Sequence, residues 1–217
     1  SFGSSNYDAL SERGHQQARV LGESLAERGI TFDVAFAGTM RRHDETASNC
    51  LGAMQCDLPL IKLPDFNEYD HEEVFARHRP ELEDKSSFAQ YLAKSSNPHK
   101  TFQKEFEQAM LRWRSGDYDS EYSETWATFR ARAINALQTA RNHGAKSIAV
   151  FSSGGPIATI TGHCLGLNDE QIVELSWAVM NCSITCLLFN ADKISLRYFN
   201  DFAHFEARKD KSLVTHR

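Results

Sequence analysis

Lys146-Ser-Ile-Ala-Val-Phe-Ser-Ser-Gly-Gly-Pro-Ile-Ala-Thr-Ile-Thr-Gly-His-Cys-Leu165 is the stretch whose reading decides the fold. Ile148, Ala149, Val150 and Phe151 form a short apolar run rich in β-formers, the pattern of a buried strand. Ser152-Ser153-Gly154-Gly155 breaks the run. Pro156 suits the first turn of a helix, where its missing N–H costs nothing. Ile157, Ile160, Thr161 and Cys164 then follow at helical spacing. A strand, a Ser/Gly turn and a helix start gather backbone N–H groups at a point of partial positive charge, which suits an anion. A plain tight connection would use the same residues, so this stretch fixes local structure and leaves function open.

Toward the N-terminus, Ser11 is placed as the N-cap of a helix carrying Ala18, Leu21, Leu25 and Ala26, with Arg28-Gly29 at its end. Phe32–Ala37 reads as a strand. The helix after Gly38-Thr39-Met40-Arg41-Arg42 carries Ala47, Leu51 and Met54 on one face. Leu58–Leu63 reads as a short strand that Pro59 confines to an edge or makes irregular. From about Val74 to Asn142 there is no strand pattern. Helices are marked by Phe88, Tyr91 and Leu92, by Phe102, Phe106, Ala109, Met110 and Trp113, and by Trp126, Phe129, Ala133, Leu137 and Ala140. Ser95–Pro98 and Ser115–Ser120 separate them. This block reads as a helical insertion over about residues 72–125, its aromatics forming a core. Asn168-Asp-Glu170 caps a helix through Ile172–Leu175, and Ser183–Phe189 and Ile194–Phe199 are strands joined by a hairpin-like Asn190–Lys193. Strands alternating with helices predict an α/β fold: a three-layer sandwich with a mostly parallel central sheet, as one domain over residues 1–217.

The bulk composition narrows the partners. Of 217 residues, 41 % are apolar and 24 % charged, which suits one globular domain of this size. The net charge is −5 and no basic stripe occurs, so nucleic acid is not an expected partner. No apolar run of membrane-spanning length and no signal-peptide pattern occurs, so no membrane partner is expected and the cytoplasm is the expected location. The five cysteines are odd in number, and Cys164, Cys182 and Cys186 lie in apolar surroundings, which reads as buried free thiols in a reducing compartment. No cofactor and no metal are expected: His71 and His78 are not at the i, i+4 spacing of a helix-borne zinc pair, and no His-Glu-x-x-His occurs. His43 is expected to face solvent or cover a helix start, His163 to pack on its helix, and His204 to lie beyond the last strand.

In open α/β folds, sites form beyond the carboxyl ends of the strands. Thr39, Arg41 and Arg42 follow one strand end. Glu68, Tyr69, Asp70 and His71 follow a second. Ser152, Ser153, Gly154 and Gly155 follow a third. An arginine offers a planar fork to phosphate oxygens, and a carboxyl group can protonate a leaving oxygen. Together with a Gly-rich helix start, these residue types suit a phosphoryl group.

Asp8-Ala-Leu-Ser-Glu-Arg-Gly-His-Gln-Gln-Ala18 resembles the Leu-[Ser/Thr]-x-x-Gly-x-x-Gln-Ala element of the histidine phosphatase superfamily, the phosphoglycerate-mutase-like proteins. Phe32–Ala47 resembles that family's strand and its Arg-Ala-x-[Gln/Glu]-Thr-Ala helix, with Arg42 at the phosphate-binding arginine. Phe66-Asn-Glu-Tyr69 resembles the segment carrying the acid, with Glu68 at that position. Phe151-Ser-Ser-Gly-Gly155 resembles Val-[Ser/Thr]-His-Gly-Gly, and the helical insertion falls where the family carries its cap. The resemblance implies a metal-independent phosphomonoester phosphatase acting through a phosphohistidine on a small-molecule phosphomonoester. Glu68 and Ser153 would be its catalytic residues; Arg42, Gly154 and Gly155 would bind phosphate. A mutase role would need a retained phosphoenzyme and substrate reorientation that no residue indicates.

Two departures qualify what is implied. The family's Arg-His-Gly, which holds the nucleophilic histidine, is absent; the order of motifs leads us to expect it ahead of Ser1, which reads as opening in a loop. Ser153 stands where the family has a second histidine that donates to the transferring phosphoryl group. Loss of one such donor typically costs ~10²–10³ in rate, so Ser153→His is expected to raise activity. The alternative is a catalytically weak or inactive protein of the same fold that binds a phosphate ligand.

Overall fold

The computed structural model describes residues 8–215, so the expectation that Ser1 opens in a loop lies outside it. Among the described residues the helices are α1 (Glu12–Glu27), α2 (Arg41–Ala53), α3 (His71–His78), α4 (Lys85–Ala93), α5 (Pro98–Ser115), α6 (Trp126–Arg141), α7 (Gly154–Leu165), α8 (Asp169–Ala178) and α9 (Ala203–Ala207). The strands are β1 (Val34–Ala37), β2 (Leu60–Lys62), β3 (Ile148–Phe151), β4 (Ile184–Phe189) and β5 (Ile194–Asp201). The chain falls into two compact units. One runs to Glu68 and resumes at Arg132; the other is Tyr69–Ala131.

In the first unit, β2, β1 and β3 form a parallel sheet in that order, with Ala37 opposite both Lys62 and Phe151. The central strand is buried on both faces. Ala35 and Ala37 pack with Leu21 and Leu25 of α1 and with Ala47, Cys50 and Leu51 of α2. Val34 and Phe36 pack with Ala133, Ala136, Leu137 and Ala140 of α6 and Ile160 of α7. Helix, sheet and helix therefore make three layers, as the alternating pattern predicts. Ser11 caps α1 by accepting the Gly14 N–H at 3.1 Å. Ala18, Leu21 and Leu25 are buried, whereas Ala26 is exposed at the helix end. Helices α1 and α2 cross closely at Gly22, where a Cβ would overlap the Cys50 carbonyl and the Ala53 methyl.

Three features depart from the sequence reading. Val150 is 42 % exposed, whereas Ala149 and Phe151 pack with α1 and α2 and Ile148 packs against the α6 face. Strands β4 and β5 form the expected hairpin, closed by the Asn190 N–H on the Lys193 carbonyl at 2.9 Å, but among the described residues their ladder is separate from the parallel sheet. Helix α3 has no counterpart among the expected elements. It starts where the Asp70 carboxylate accepts the Glu73 N–H at 2.9 Å and buries Val74 and Phe75, too short a pattern to register a helical period.

The second unit is a helical body with an aromatic core, as expected. Trp113 is 1 % exposed and lies 4.8–6.5 Å from the rings of Tyr69, Trp126, Phe129 and Tyr122. Its indole N–H donates to the Glu124 carbonyl at 2.8 Å, so the one polar atom of the ring is satisfied. Phe75, Phe88, Phe102 and Phe106 make a second run of ring contacts.

All five cysteines are free thiols. Cys50 is fully buried, and burial pushes it up to about 12, so at neutral pH it is a protonated, weakly nucleophilic thiol. Cys164, Cys182 and Cys186 are half-buried rather than buried as expected. No helix among the described residues is long and apolar enough to cross a membrane.

Candidate active site

Because β1, β2 and β3 run parallel, their carboxyl ends meet at one edge. The ladder continues one residue past each end: the Gly38 N–H donates to the Phe151 carbonyl at 3.1 Å, and the Leu63 N–H to the Ala37 carbonyl at 2.8 Å. The loops that follow are pinned to one another. Asn67 accepts the Thr39 N–H and donates to the Thr39 hydroxyl, both at 2.7 Å. Ser152 donates its hydroxyl to the Phe66 carbonyl at 2.7 Å. Arg132 of α6 donates to the carbonyls of Asp65, Asn67 and Glu68 at 3.1, 2.6 and 3.4 Å, holding the segment that carries Glu68.

Two bonds join the three strand ends. Glu68, 4 % exposed, accepts the Gly155 N–H at 3.2 Å through Oε2. His43, 3 % exposed, places Nε2 2.6 Å from Ser153 Oγ. Of the two placements expected for His43, facing solvent fails: its place in the first turn of α2 turns the ring inward under Gly38, against Ser153 at the start of α7. A Cβ at Gly38 would overlap both that ring and the Asn67 carboxamide, which is why this turn needs a glycine. Ser153 is the N-cap residue of α7 but makes no side-chain cap, because its hydroxyl is turned to His43. The Glu68 carboxyl meets the helix start in its stead.

Arg42 is next to His43, in the first turn of α2. Its side chain is 16 % exposed and bonds Asp8 Oδ1 at 2.9 Å, while Asp8 Oδ2 accepts the Arg41 N–H at 2.9 Å. A carboxylate thus already sits at this helix start, at the guanidinium expected to hold phosphate. Of the five expected site residues, Glu68, Ser153 and Gly155 are in one bonded group with Gly154 between the last two. Arg42 is next to His43 in the chain, with its guanidinium on Asp8. The Gly155 N–H expected to serve phosphate is occupied by Glu68.

Gly38, Asn67 and Arg132 carry no mark in the sequence, and His43 was expected to take no part in the chemistry. His43 adds a steric condition to the expectation for Ser153→His. The space beside position 153 holds an imidazole, so a second ring there would press on the first. His163 is exposed rather than packed, and His204, in α9, is buried. Burial holds the His204 imidazole below its ordinary range, against an opposing pull from Asp201. Among the described residues no three His, Cys, Asp or Glu side chains are grouped as a metal site.

The sequence profile of the Histidine phosphatase superfamily (branch 1) matches residues 3–100 and 94–202. A 2,3-bisphosphoglycerate-dependent phosphoglycerate mutase of Bartonella henselae is 36 % identical over 77 residues, 35 % of this chain and 37 % of the relative. The match thus spans little more than a third of that protein's length. The crystal structure of a phosphoglycerate mutase from Bacillus anthracis covers 93 % of this chain and 86 % of its own, at 18 % identity and a TM-score of 0.62. A phosphoserine phosphatase mutant from Entamoeba histolytica, in complex with phosphoserine, covers 90 % and 86 %, at 17 % identity and a TM-score of 0.59. These two structures share the fold.

Proposed function

The chain belongs to the histidine phosphatase superfamily, and on that premise we propose that it is a metal-independent phosphomonoesterase passing its phosphoryl group through a histidine to water. The observation that carries the reading is the bonded group at one sheet edge: Glu68 on the Gly155 N–H and His43 on Ser153, with Arg42 alongside. The incoming phosphoryl anion takes the place of two carboxylates already there. It displaces Asp8 from Arg42 and Glu68 from the start of α7, where a dianion gains more than a single carboxylate from the N–H groups and the helix field. The freed Glu68, no longer at the helix start and now beside an anion, takes up a proton from solvent and turns to the leaving oxygen. As the nucleophilic imidazole nitrogen bonds to phosphorus, the P–O bond to the alcohol breaks and the Glu68 proton goes to that oxygen. In the second step Glu68, now a carboxylate, takes a proton from water as the water oxygen bonds to phosphorus and the N–P bond breaks. The nucleophile belongs to the Arg-His-Gly strand that the resemblance implies; the printed sequence contains no such triplet.

The substrate class is a small phosphorylated alcohol, as phosphoserine is in the Entamoeba neighbour. The free thiols suit the cytoplasm. The test is turnover of p-nitrophenyl phosphate and of phosphoserine by protein expressed from the intact gene, with and without EDTA. Hydrolysis indifferent to the chelator is expected. Phosphate binding without turnover would assign the chain to the alternative, a phosphate-binding protein, which the uncharged hydroxyl of Ser153 favours. Activity abolished by the chelator contradicts the proposal.

A further inference from the structure

A buried imidazole and a serine hydroxyl 2.6 Å apart, at the start of a helix that receives an anion, form an arrangement with a direction. Serine at an N-cap ordinarily accepts an N–H from its own helix, and Ser153 does not. Its hydroxyl is committed to the ring across the sheet edge, from a residue 110 positions earlier in the chain. The ring lies against Gly38, where a Cβ would overlap it, and the Asn67 carboxamide, itself bonded to Thr39, lies at the same glycine. A turn without a side chain is what leaves room for the imidazole that meets the hydroxyl.

We propose that His43 is a positioning residue that charges the Ser153 hydroxyl as a phosphoryl-oxygen donor. Protonated His43 donates Nε2–H to Ser153 Oγ, and Ser153 then directs its own O–H to a non-bridging phosphoryl oxygen. No proton changes owner. The positive charge of the imidazolium strengthens the serine O–H as a donor, which a lone hydroxyl cannot achieve in a dry site. The inference rests on the phosphatase reading above, and it supplies the cationic donor that Ser153 alone lacks.

The charged side chains on the elements packed there set the background for a titration. Arg42 and Asp44 lie on α2. Asp8 is paired with Arg42, Lys62 at the end of β2 is paired with Asp44, and His15 of α1 lies near Glu45. Glu68 comes from the loop after β2, with Arg132 on its backbone. The first residues of α7 carry no charge.

The test uses protein expressed from the intact gene and two readouts. In the first, the His43 ring is titrated by NMR with and without inorganic phosphate. The dyad predicts that phosphate moves the His43 titration to higher pH, and that Ser153→Ala removes most of the movement. No phosphate-dependent movement overturns the proposal, whatever the turnover. In the second, p-nitrophenyl phosphate turnover is followed against pH. His43→Ala is expected to lower kcat about 10²-fold and to abolish the decline that accompanies loss of the His43 proton. Ser153→His alone crowds two rings and stays low, whereas the double variant His43→Ala/Ser153→His regains most of the lost activity. A double variant no better than His43→Ala, or His43→Asn with full activity and an unchanged pH profile, means that the ring only fills space. An acid-stable phosphoserine at Ser153 makes that residue the nucleophile and also overturns the proposal. A wild type that shows the NMR shift but turns over nothing ends the phosphatase reading and leaves the dyad standing.

Discussion

Arg42→Ala weakens inorganic phosphate binding by about 10- to 100-fold. A hydrogen bond to a charged group is worth ~1.5–3 kcal/mol, and Arg42 would give a phosphate its planar fork. In the unliganded protein that fork is on Asp8, whose side chain is 51 % exposed. Exposed ion pairs contribute ~0–1 kcal/mol, but the Arg42 side chain is itself only 16 % exposed, so the melting temperature is read beside the affinity. Asp8→Asn is the control. It removes the carboxylate that competes with phosphate and is expected to keep or raise affinity. Titration calorimetry with inorganic phosphate measures both. An Arg42→Ala protein that binds phosphate as tightly as the wild type removes Arg42 from the site.

Glu68→Gln should separate substrates by their leaving groups. An alkoxide is a poor leaving group, and a positioned general acid contributes ~10²–10⁴. A nitrophenolate needs little help. The variant is expected to lose ~10²–10⁴ in kcat on an alkyl phosphate such as phosphoserine, and far less on p-nitrophenyl phosphate in the step that forms the phosphoenzyme. Glutamine keeps the shape, and its carbonyl oxygen can still accept the Gly155 N–H that Glu68 holds at 3.2 Å, so misfolding is not the cause. Equal losses on the two substrates would mean that Glu68 orients the site and does not carry the leaving-group proton.

The strands and helices around the site were legible because their signals are local. The apolar run Ile148–Phe151, the break at Ser152–Gly155 and the cap at Ser11 each lie within a few residues. What the sequence concealed depends on pairing through space. Val150 reads as core, yet its side chain is 42 % exposed. Gly38, Asn67 and Arg132 acquire their roles only when three loops meet. Helix α3 hides behind a run of charged residues with two apolar positions.

His43 is the instructive case. The family pattern has an alanine after its phosphate-binding arginine, and this chain has His43 there. The pattern has a histidine before Gly-Gly, and this chain has Ser153. Read singly, the first departure suggested a side chain facing solvent or covering a helix start, and the second a lost donor. Read together, a ring gained at one position and lost at the other suggests that the two side chains are neighbours, and the 2.6 Å contact makes them so. The signal was present in the sequence, split across 110 residues.

The central claim is that the carboxyl ends of β1, β2 and β3 form a phosphoryl site. The most direct measurement is a crystal structure of the protein from the intact gene with orthovanadate bound. The account predicts the anion at the start of α7, with oxygens on the Arg42 guanidinium, the Ser153 hydroxyl and the Gly154 or Gly155 N–H, and with Glu68 turned off Gly155. Vanadate bound elsewhere, with Arg42 still on Asp8 and Glu68 still on Gly155, would contradict it.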